Sequence, residues 1–307
     1  MRSIKPLPLR KGDRIAVVAP AGPVEPGRLA RGVSLLAAAG FVPEVAAGVR
    51  DRDGLFAGSD RRRAAQMEWA FTHPGARAVM AARGGYGSTR LLPLIDWRKA
   101  RAHPRLLIGY SDISAFLAYV STRLGIPVIH GPMAATADLA SRPDGGSLDS
   151  FARLARGDVP AREPWGPPCE RLRGGAAQGT LSGGCLSVLT SLLGTPYEPD
   201  FRGALLFLED VREPSYRIDR MLTQWIQSGR LRNIVGIVAG RIAPVRGEGE
   251  EAIRGILSSA GRRLCVPVWY GFPSGHSRPN HPLPFGVRAR IDSRGRLFLL
   301  ESPVEAA

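Results

Sequence analysis

The sequence contains few cysteines. Its 307 residues include three, Cys169, Cys185 and Cys265, and no two of them form a CxxC pair. Extracellular disulfide scaffolds and structural zinc sites use an even number or a regular spacing of cysteines, so this pattern argues against both. We therefore expect small buried thiols in a reducing compartment, and no metal site.

The sequence also lacks any uninterrupted apolar run of ~18 residues, the length that a membrane helix requires. Residues 1–14 are basic but contain neither the apolar core nor the small-residue cleavage site of an export signal. These absences predict a cytoplasmic protein with no membrane partner. With 307 residues, 44% of them hydrophobic, the chain is long enough for two domains with large interiors.

Lysine is scarce in a strongly basic sequence. The net charge is +15, but lysine occurs only at Lys5, Lys11 and Lys99, so arginine carries nearly all the positive charge. The arginines are scattered, and no aromatic residues alternate with them to stack on bases. We interpret the excess as a solvated surface and expect no nucleic-acid partner. A nucleic-acid-binding protein would instead lose affinity steeply with salt.

Nucleotide-binding signatures are missing as well. The glycine-rich segments at 19–23 (APAGP) and 83–87 (RGGYG) have neither GxGxxG spacing nor the lysine of a phosphate-binding loop. We therefore expect no nucleotide cofactor. The glycines at 83–90 can still let the backbone approach a ligand closely and offer N–H groups to an anion.

The first half alternates apolar strands with segments of helix length, which predicts an α/β fold with a parallel sheet and right-handed crossovers. Each strand is a short apolar run, and each helix has apolar residues on one face. The predicted strands span 14–20, 41–49, 78–82 and 106–108, and the predicted helices span 28–40 and 60–71 and follow Ser111.

This pattern breaks over residues 141–168, where Pro, Gly, Arg and Asp dominate and apolar periodicity disappears. We interpret this segment as a linker between domains at 1–140 and 169–307. The second domain begins with a glycine-rich turn that leads into an apolar helix, over 179–194. Strands follow at 204–210 and 234–240, a helix at 215–229, and then short strands and turns.

A serine stands between the fourth strand and the next helix, in the segment LLIGYSDIS. Ser111 at this position resembles the nucleophile elbow G-x-S-x-G, although Ile113 replaces the last glycine. A sharp turn here exposes the hydroxyl, and the amides at the start of the helix can hold an oxyanion. The motif alone also fits an ordinary helix N-cap.

A serine nucleophile needs a histidine base and an acid that orients it. His130 ends an apolar run, while His276 and His281 share the loop GFPSGHSRPNHPLPFG. The acid candidates are Glu209, Asp210 and Glu213. Glu209 and Asp210 end the strand LFLED, and alternation sends their side chains to opposite faces. Spacing alone leaves both choices open.

Five segments, in this order, resemble the signature segments of the LD-carboxypeptidase family: RGGYGSTRLL, GYSDIS, LSGGCLSVL, LFLEDVREPSYRIDRML and GFPSGHSRPNHPLPFG. The resemblance extends over nearly the whole chain. The family includes murein tetrapeptide LD-carboxypeptidases and microcin C immunity peptidases. It implies a serine peptidase with a catalytic triad of Ser111, Glu209 and His276. The family's oxyanion hole of backbone amides maps onto Asp112, Gly84 and Gly85.

The resemblance also implies a fold and a substrate. The fold would pair an N-terminal flavodoxin-like α/β domain, carrying the serine, with a smaller β-rich C-terminal domain, carrying the other two residues. The substrate would be a muropeptide that loses its terminal D-alanine in peptidoglycan recycling, with no metal or cofactor. We expect a homodimer.

Two other functions fit the same scaffold. A microcin-immunity-type peptidase would cleave a peptidyl-nucleotide and would need an aromatic residue to stack on the base, for which Trp165 and Trp269 are candidates. A non-catalytic binding module would have no reason to keep a serine, a glutamate and a histidine together.

Overall fold

The computed structural model describes residues 3–137, 139, 147–243 and 249–306. The strands within these ranges are β1 (Arg14–Val18), β2 (Val42–Val45), β3 (Ala76–Ala81), β4 (Leu106–Gly109), β5 (Val128–His130), β6 (Glu170–Arg173), β7 (Ala177–Cys185), β8 (Ala204–Val211), β9 (Gly236–Ala243), β10 (Val268–Phe272), β11 (Leu283–Phe285), β12 (Val287–Ile291) and β13 (Leu297–Leu299). The α-helices are α1 (Pro26–Ala38), α2 (Asp60–Thr72), α3 (Ser88–Leu91), α4 (Trp97–Ala102), α5 (Ser114–Tyr119), α6 (Ser147–Arg156), α7 (Leu186–Ser191), α8 (Ser215–Gln227) and α9 (Glu250–Leu264). None of these helices is long and apolar enough to span a bilayer.

The first sheet has the strand order β2-β1-β3-β4-β5, with β11 added at the β5 edge. The first five strands are all parallel, and β11 is antiparallel to β5. This is the doubly wound order of flavodoxin-like folds, in which ligands bind outside the carboxyl ends of the strands. The predicted parallel α/β domain is confirmed.

The second sheet has the order β13-β12-β7-β8-β9-β10-β6. Its four central strands, β7 to β10, are parallel, and β12, β13 and β6 are antiparallel to their neighbours. Helices α7, α8 and α9 bury apolar residues against one side of it. The predicted second, strand-rich unit is confirmed.

The two sheets meet at the carboxyl ends of β4, β7 and β8. Cys185 at the end of β7 pairs in register with Glu209 on β8. The backbone N–H of Cys185 donates to Ser114 Oγ on α5 at 3.0 Å. A Cβ at Gly184 would lie 2.7 Å from the same hydroxyl. Close approach at this point places the ends of β7 and β8 against the turn that follows β4.

The glycine-rich turn predicted at the start of 179–194 is wrong, because residues up to Cys185 belong to β7. A Cβ at Gly183 would lie 1.8 Å from the carbonyl oxygen of Phe207 on β8. The glycines are therefore required by a neighbouring strand that lies unusually close. The helix predicted after them exists as α7.

The short helices α3 and α4 and the longer helices α6 and α9 were not predicted. In α9 the buried side chains Ile253, Leu257 and Ala260 follow helical spacing, although only turns and short strands were expected there. Helix α6 lies inside the predicted linker and buries Phe151 and Leu154, so periodicity does not vanish over the whole segment. Residues 141–146 of that linker lie outside the described residues, and the division at 141–168 stays a prediction.

The cysteines are free, as expected. Cys169 and Cys185 are buried, and burial raises the pKa of both thiols, that of Cys169 to about 12. Cys265 is exposed, which corrects the expectation of three buried thiols. It follows α9 in a left-handed conformation with φ of 57°, so it is directed to the surface at a helix end.

Candidate active site

Ser111 lies at the sharp turn between β4 and α5. Its φ is 61°, a left-handed conformation that residues with a side chain rarely adopt. A Cβ at Gly109 would lie 2.8 Å from Cγ2 of Ile113, so glycine at 109 permits the tight turn even though Ile113 replaces the glycine expected there. A strained serine between a parallel strand and a helix is the geometry of a nucleophile elbow.

Glu209 and His276 form a hydrogen-bonded pair. Glu209 is fully buried on β8, and its Oε2 accepts from Nδ1 of His276 at 2.7 Å and from the backbone N–H of His276 at 3.2 Å. A Cβ at Gly275 would lie 2.5 Å from the Glu209 carboxyl carbon, so a glycine is needed for this approach. Because Nδ1 donates to the carboxylate, Nε2 keeps the lone pair that a general base requires.

The Glu209 carboxyl is strongly acidic although it is fully buried. Burial by itself raises its pKa, but the charge of His276 and the neighbouring imidazoles of His130 and His276 outweigh burial and lower the pKa to about 2. The carboxylate is thus ionised near neutral pH, as stabilisation of an imidazolium requires.

Ser111 and His276 line one cavity of about 460 Å³. Tyr110 lines it too, and its ring meets that of His276 edge-on with centroids 5.1 Å apart. The cavity therefore joins the elbow of the first domain to the loop that carries His276 in the second. It is a cleft bordered by both halves of the chain.

The three residues expected at the oxyanion hole surround Ser111. A Cβ at Gly84 would lie 3.1 Å from Ser111 Oγ and 3.4 Å from the backbone nitrogen of Asp112. Gly85, with φ of 126°, lines the cavity beside Gly84. The Asp112 carboxylate is buried and accepts from the Ser88 N–H at 2.8 Å. The backbone of Asp112, rather than its carboxylate, is therefore what borders the serine.

Asp210 occupies the other face of β8. Its carboxylate accepts from the backbone N–H groups of Ser187 at 2.7 Å and Val211 at 2.8 Å. Burial and the adjacent Glu209 charge raise its pKa to about 6. Asp210 thus joins β8 to the start of α7.

The rival histidines occupy other environments, and neither is among the described residues that line the cavity. The backbone N–H of His281 donates to the carbonyl of Pro273 at 2.7 Å, and its ring packs near Phe272. His130 is fully buried beside Glu209, with Nε2 3.8 Å from Oε1.

Sequence reasoning did not identify the charge of the cavity wall. Four cations that are far apart in sequence line it: Arg28, Arg83, Arg212 and Arg278. Glu25 is the one acid among the described lining residues, and its carboxylate caps α1 through the N–H groups of Gly27 and Arg28, each at 2.7 Å. Because arginines are scattered throughout the sequence, no local signal marks these four.

Both halves of the chain match known family domains. Residues 15–131 match the LD-carboxypeptidase N-terminal domain, and residues 178–291 match the LD-carboxypeptidase C-terminal domain. The chain belongs to the LD-carboxypeptidase family. The resemblance is therefore confirmed, and the protein is a serine-type carboxypeptidase.

Two bacterial relatives of this LD-carboxypeptidase cover nearly its whole length. The chain is 33% identical over 291 residues to the murein tetrapeptide carboxypeptidase of Pseudomonas aeruginosa, covering 91% of this chain and 93% of the relative. It is 34% identical over 307 residues to a protein of Bacillus subtilis named "probable murein peptide carboxypeptidase", covering 98% and 95%.

Solved structures agree with this architecture. The muramoyltetrapeptide carboxypeptidase of Oxalobacter formigenes has a TM-score of 0.79 at 31% identity and covers 92% of this chain and 97% of its own. The microcin C7 self immunity protein MccF has a TM-score of 0.89 at 23% identity and covers 98% and 100%. At that identity the likeness to MccF concerns the fold alone.

Proposed function

We propose that this carboxypeptidase hydrolyses the L,D peptide bond that precedes the terminal D-alanine of murein tetrapeptide, through an acyl-enzyme on Ser111. The arrangement of Ser111 and His276 in one cavity, with Glu209 holding Nδ1 of His276 at 2.7 Å, carries the proposal. The names of the relatives from Pseudomonas aeruginosa and Bacillus subtilis support the substrate class.

In the first half-reaction, Nε2 of His276 takes the proton of the Ser111 hydroxyl, and Oγ attacks the scissile carbonyl carbon. Backbone N–H groups beside the serine, at Asp112 and Gly85 with Gly84 adjacent, would hold the oxyanion. The imidazolium is stabilised by Glu209 and then gives its proton to the leaving nitrogen. The C–N bond breaks, and D-alanine departs as a free amino acid.

In the second half-reaction, a water molecule attacks the ester while His276 takes its proton. Collapse of the second tetrahedral intermediate releases the shortened peptide, and the proton returns to Ser111 Oγ. Every step uses the same three side chains and the same backbone donors.

A carboxypeptidase must also recognise the free carboxylate of the residue that it releases, and the cavity offers cations for this. The Arg83 guanidinium already donates to the carbonyls of Pro23 and Gly84. Arg212 and Arg278 have no hydrogen-bond or ion-pair partner among the described residues. Arg212 follows β8 directly and adopts φ of 61°, a strained conformation that supports a functional rather than a structural role. We assign the carboxylate to Arg212, with bidentate geometry.

The peptidyl-nucleotide alternative has less support. Trp165 is buried and its Nε1 donates to the Pro282 carbonyl at 2.8 Å, while Trp269 is fully buried on β10. Neither is among the described residues lining the cavity, so neither is placed to stack on a base.

The proposal is tested by incubating the protein with murein tetrapeptide and measuring released D-alanine. The control substrate is the same peptide with terminal L-alanine, and Ser111→Ala is the control protein. Stereospecific release that disappears in the variant is the expected result. Cleavage of an aminoacyl sulfamoyl adenosine, with no D-alanine released from the peptide, would favour the alternative. The homodimer and the cytoplasmic location stay predictions.

A further inference from the structure

A second imidazole faces the Glu209 carboxylate from the side that His276 does not use. His130 ends β5 and is fully buried, with its Nε2 3.8 Å from Oε1 of Glu209. His276 bonds the other oxygen, Oε2. Oε1 and the His130 Nε2 are both buried, and neither has a hydrogen-bond partner among the described residues. Two unsatisfied buried polar atoms of opposite character therefore face each other.

Ser274 complements the tautomer of His130 that the Glu209 carboxylate favours. Its Oγ lies 3.2 Å from Nδ1. A proton on Nδ1 would leave the lone pair of Nε2 directed at an anion, which is unfavourable. When the Ser274 hydroxyl donates to Nδ1, the proton is on Nε2 and faces the carboxylate.

The surroundings make this contact electrostatically strong. The rings of Tyr110, Phe207 and Phe285 pack around the imidazole, with centroids 6.2, 5.3 and 5.3 Å away. A separation of 3.8 Å exceeds a direct hydrogen bond. At a fully buried site, however, charge and dipole interact strongly over such a distance.

We propose that His130 is a positioning residue that holds Glu209 through Oε1 and moderates the basicity of His276. An N–H directed at Oε1 draws carboxylate charge away from Oε2, so the His276 imidazolium is less stabilised than it would be beside an unshared carboxylate. This inference rests on the proposed triad. It adds a fourth and a fifth residue, so that the chain of contacts runs from His276 through Glu209 and His130 to Ser274.

Other charged and titratable groups also face this network. Asp210 and Cys185 lie near Glu209, whose charge adds to burial in raising the pKa of both. Tyr110 faces both imidazoles. The cavity brings Ser111, Glu25 and four arginines to the side where His276 lies. Variants at His130 leave all of these side chains unchanged.

A matched pair of variants tests the proposal. His130→Phe removes the N–H and keeps an aromatic ring among aromatic neighbours, whereas His130→Gln offers an amide N–H near the position of Nε2. The pKa of His276 is measured by NMR titration of its ring nitrogens, and the pH dependence of kcat/KM for D-alanine release is measured in parallel. In the Phe variant we expect the pKa of His276 and the midpoint of the acidic limb of the kcat/KM profile both to rise by about 0.5–1 pH unit. In the Gln variant both values should lie closer to those of the wild type.

Ser274→Ala provides a second approach that retains His130. It removes the hydroxyl that supports the Nε2–H tautomer, so a smaller shift of the same sign is expected. If both His130→Phe and Ser274→Ala fold but leave the His276 pKa unchanged, the inference is wrong and His130 only fills space. If His130→Phe does not fold, Ser274→Ala decides alone. If the wild type releases no D-alanine, the proposed function is wrong. The NMR titration of His276 would still test the role of His130.

Discussion

Replacing Glu209 with glutamine removes the charge beside His276 and keeps the shape of the side chain. In the wild type the pKa of Glu209 falls from its ordinary 4.5 to about 2 in a fully buried site, equivalent to about 3 kcal/mol in favour of the ionised carboxylate. A glutamine N–H can also donate to Nδ1, which would place the imidazole proton on Nε2 and block the base. Together these effects predict a loss in kcat of ~10³–10⁴-fold.

The assay is D-alanine release from murein tetrapeptide under steady-state conditions, with KM expected to change by less than about threefold. Asp210→Asn is the matched control, because it makes the same chemical change one residue along, on the other face of β8. The Asn variant is expected to keep kcat within about tenfold, since the Asp210 carboxylate accepts from the backbone N–H groups of Ser187 and Val211 on the other face of β8.

The opposite pattern would refute this reasoning. A Glu209→Gln variant that turns over at more than a tenth of the wild-type rate would mean that no buried anion assists His276. If Asp210→Asn were folded but inactive at the same time, the acid of the triad would be Asp210, and the other face of the strand would meet the cleft.

Four further predictions concern neighbouring groups. Ser111→Ala should lower turnover by at least ~10³-fold. Ser111→Gly should be equally inactive but about 1 kcal/mol more stable than Ser111→Ala in denaturant unfolding, because glycine adopts the φ of 61° without strain. Equal stability of the two variants would contradict backbone strain at Ser111. His276→Ala should abolish D-alanine release and His281→Ala should retain it; the reverse ranking would reassign the base. Arg212→Ala should raise KM for tetrapeptide about tenfold or more with a smaller change in kcat, and an unaltered KM would remove it from the carboxylate site. The folded-state pKa of Asp210 is about 6, above its ordinary 3.8, so its contribution to stability is present at acidic pH and is lost as pH rises to about 6. The melting temperatures of wild type and Asp210→Asn should therefore diverge over that pH range. Parallel curves of melting temperature against pH would refute the raised pKa.

The parallel sheet could be predicted from sequence because its strands are buried on both faces. β1, β3 and β4 consist almost entirely of apolar residues, and helix-length segments separate them, which is sufficient for the βαβ topology. The extent of β7, by contrast, depends on strand β8, which lies next to it in the sheet. The glycine pair at 183–184 is typical of a turn, but Phe207 on β8 excludes a side chain at Gly183, and Ser114 on α5 excludes one at Gly184.

The candidate site could be predicted only in part. The strand-to-helix position of Ser111 was evident from local pattern, but its partners came from the family resemblance. Alternation on β8 separates Glu209 from Asp210 without saying which one faces the cleft. That choice depends on the loop at Gly275, whose missing side chain lets His276 approach Glu209.

The four arginines of the cavity wall and the contact between His130 and Glu209 were not predicted, because the residues involved are far apart in sequence. Arg28 lies in α1, Arg83 follows β3, Arg212 follows β8 and Arg278 lies in the loop after β10, so only the tertiary fold gathers them. The contact between His130 and Glu209 likewise depends on how β5, which pairs with β11, packs against the second domain. No spacing in the chain encodes either arrangement.

Covalent labelling tests directly whether Ser111 is the nucleophile. The protein is treated with a fluorophosphonate, and the modified residue is located by peptide mapping while D-alanine release is followed in the same samples. We expect a single adduct on Ser111, formed in proportion to the loss of activity and much more slowly in Glu209→Gln. Loss of activity with the adduct on another residue, or full D-alanine release from protein quantitatively modified at Ser111, would contradict it.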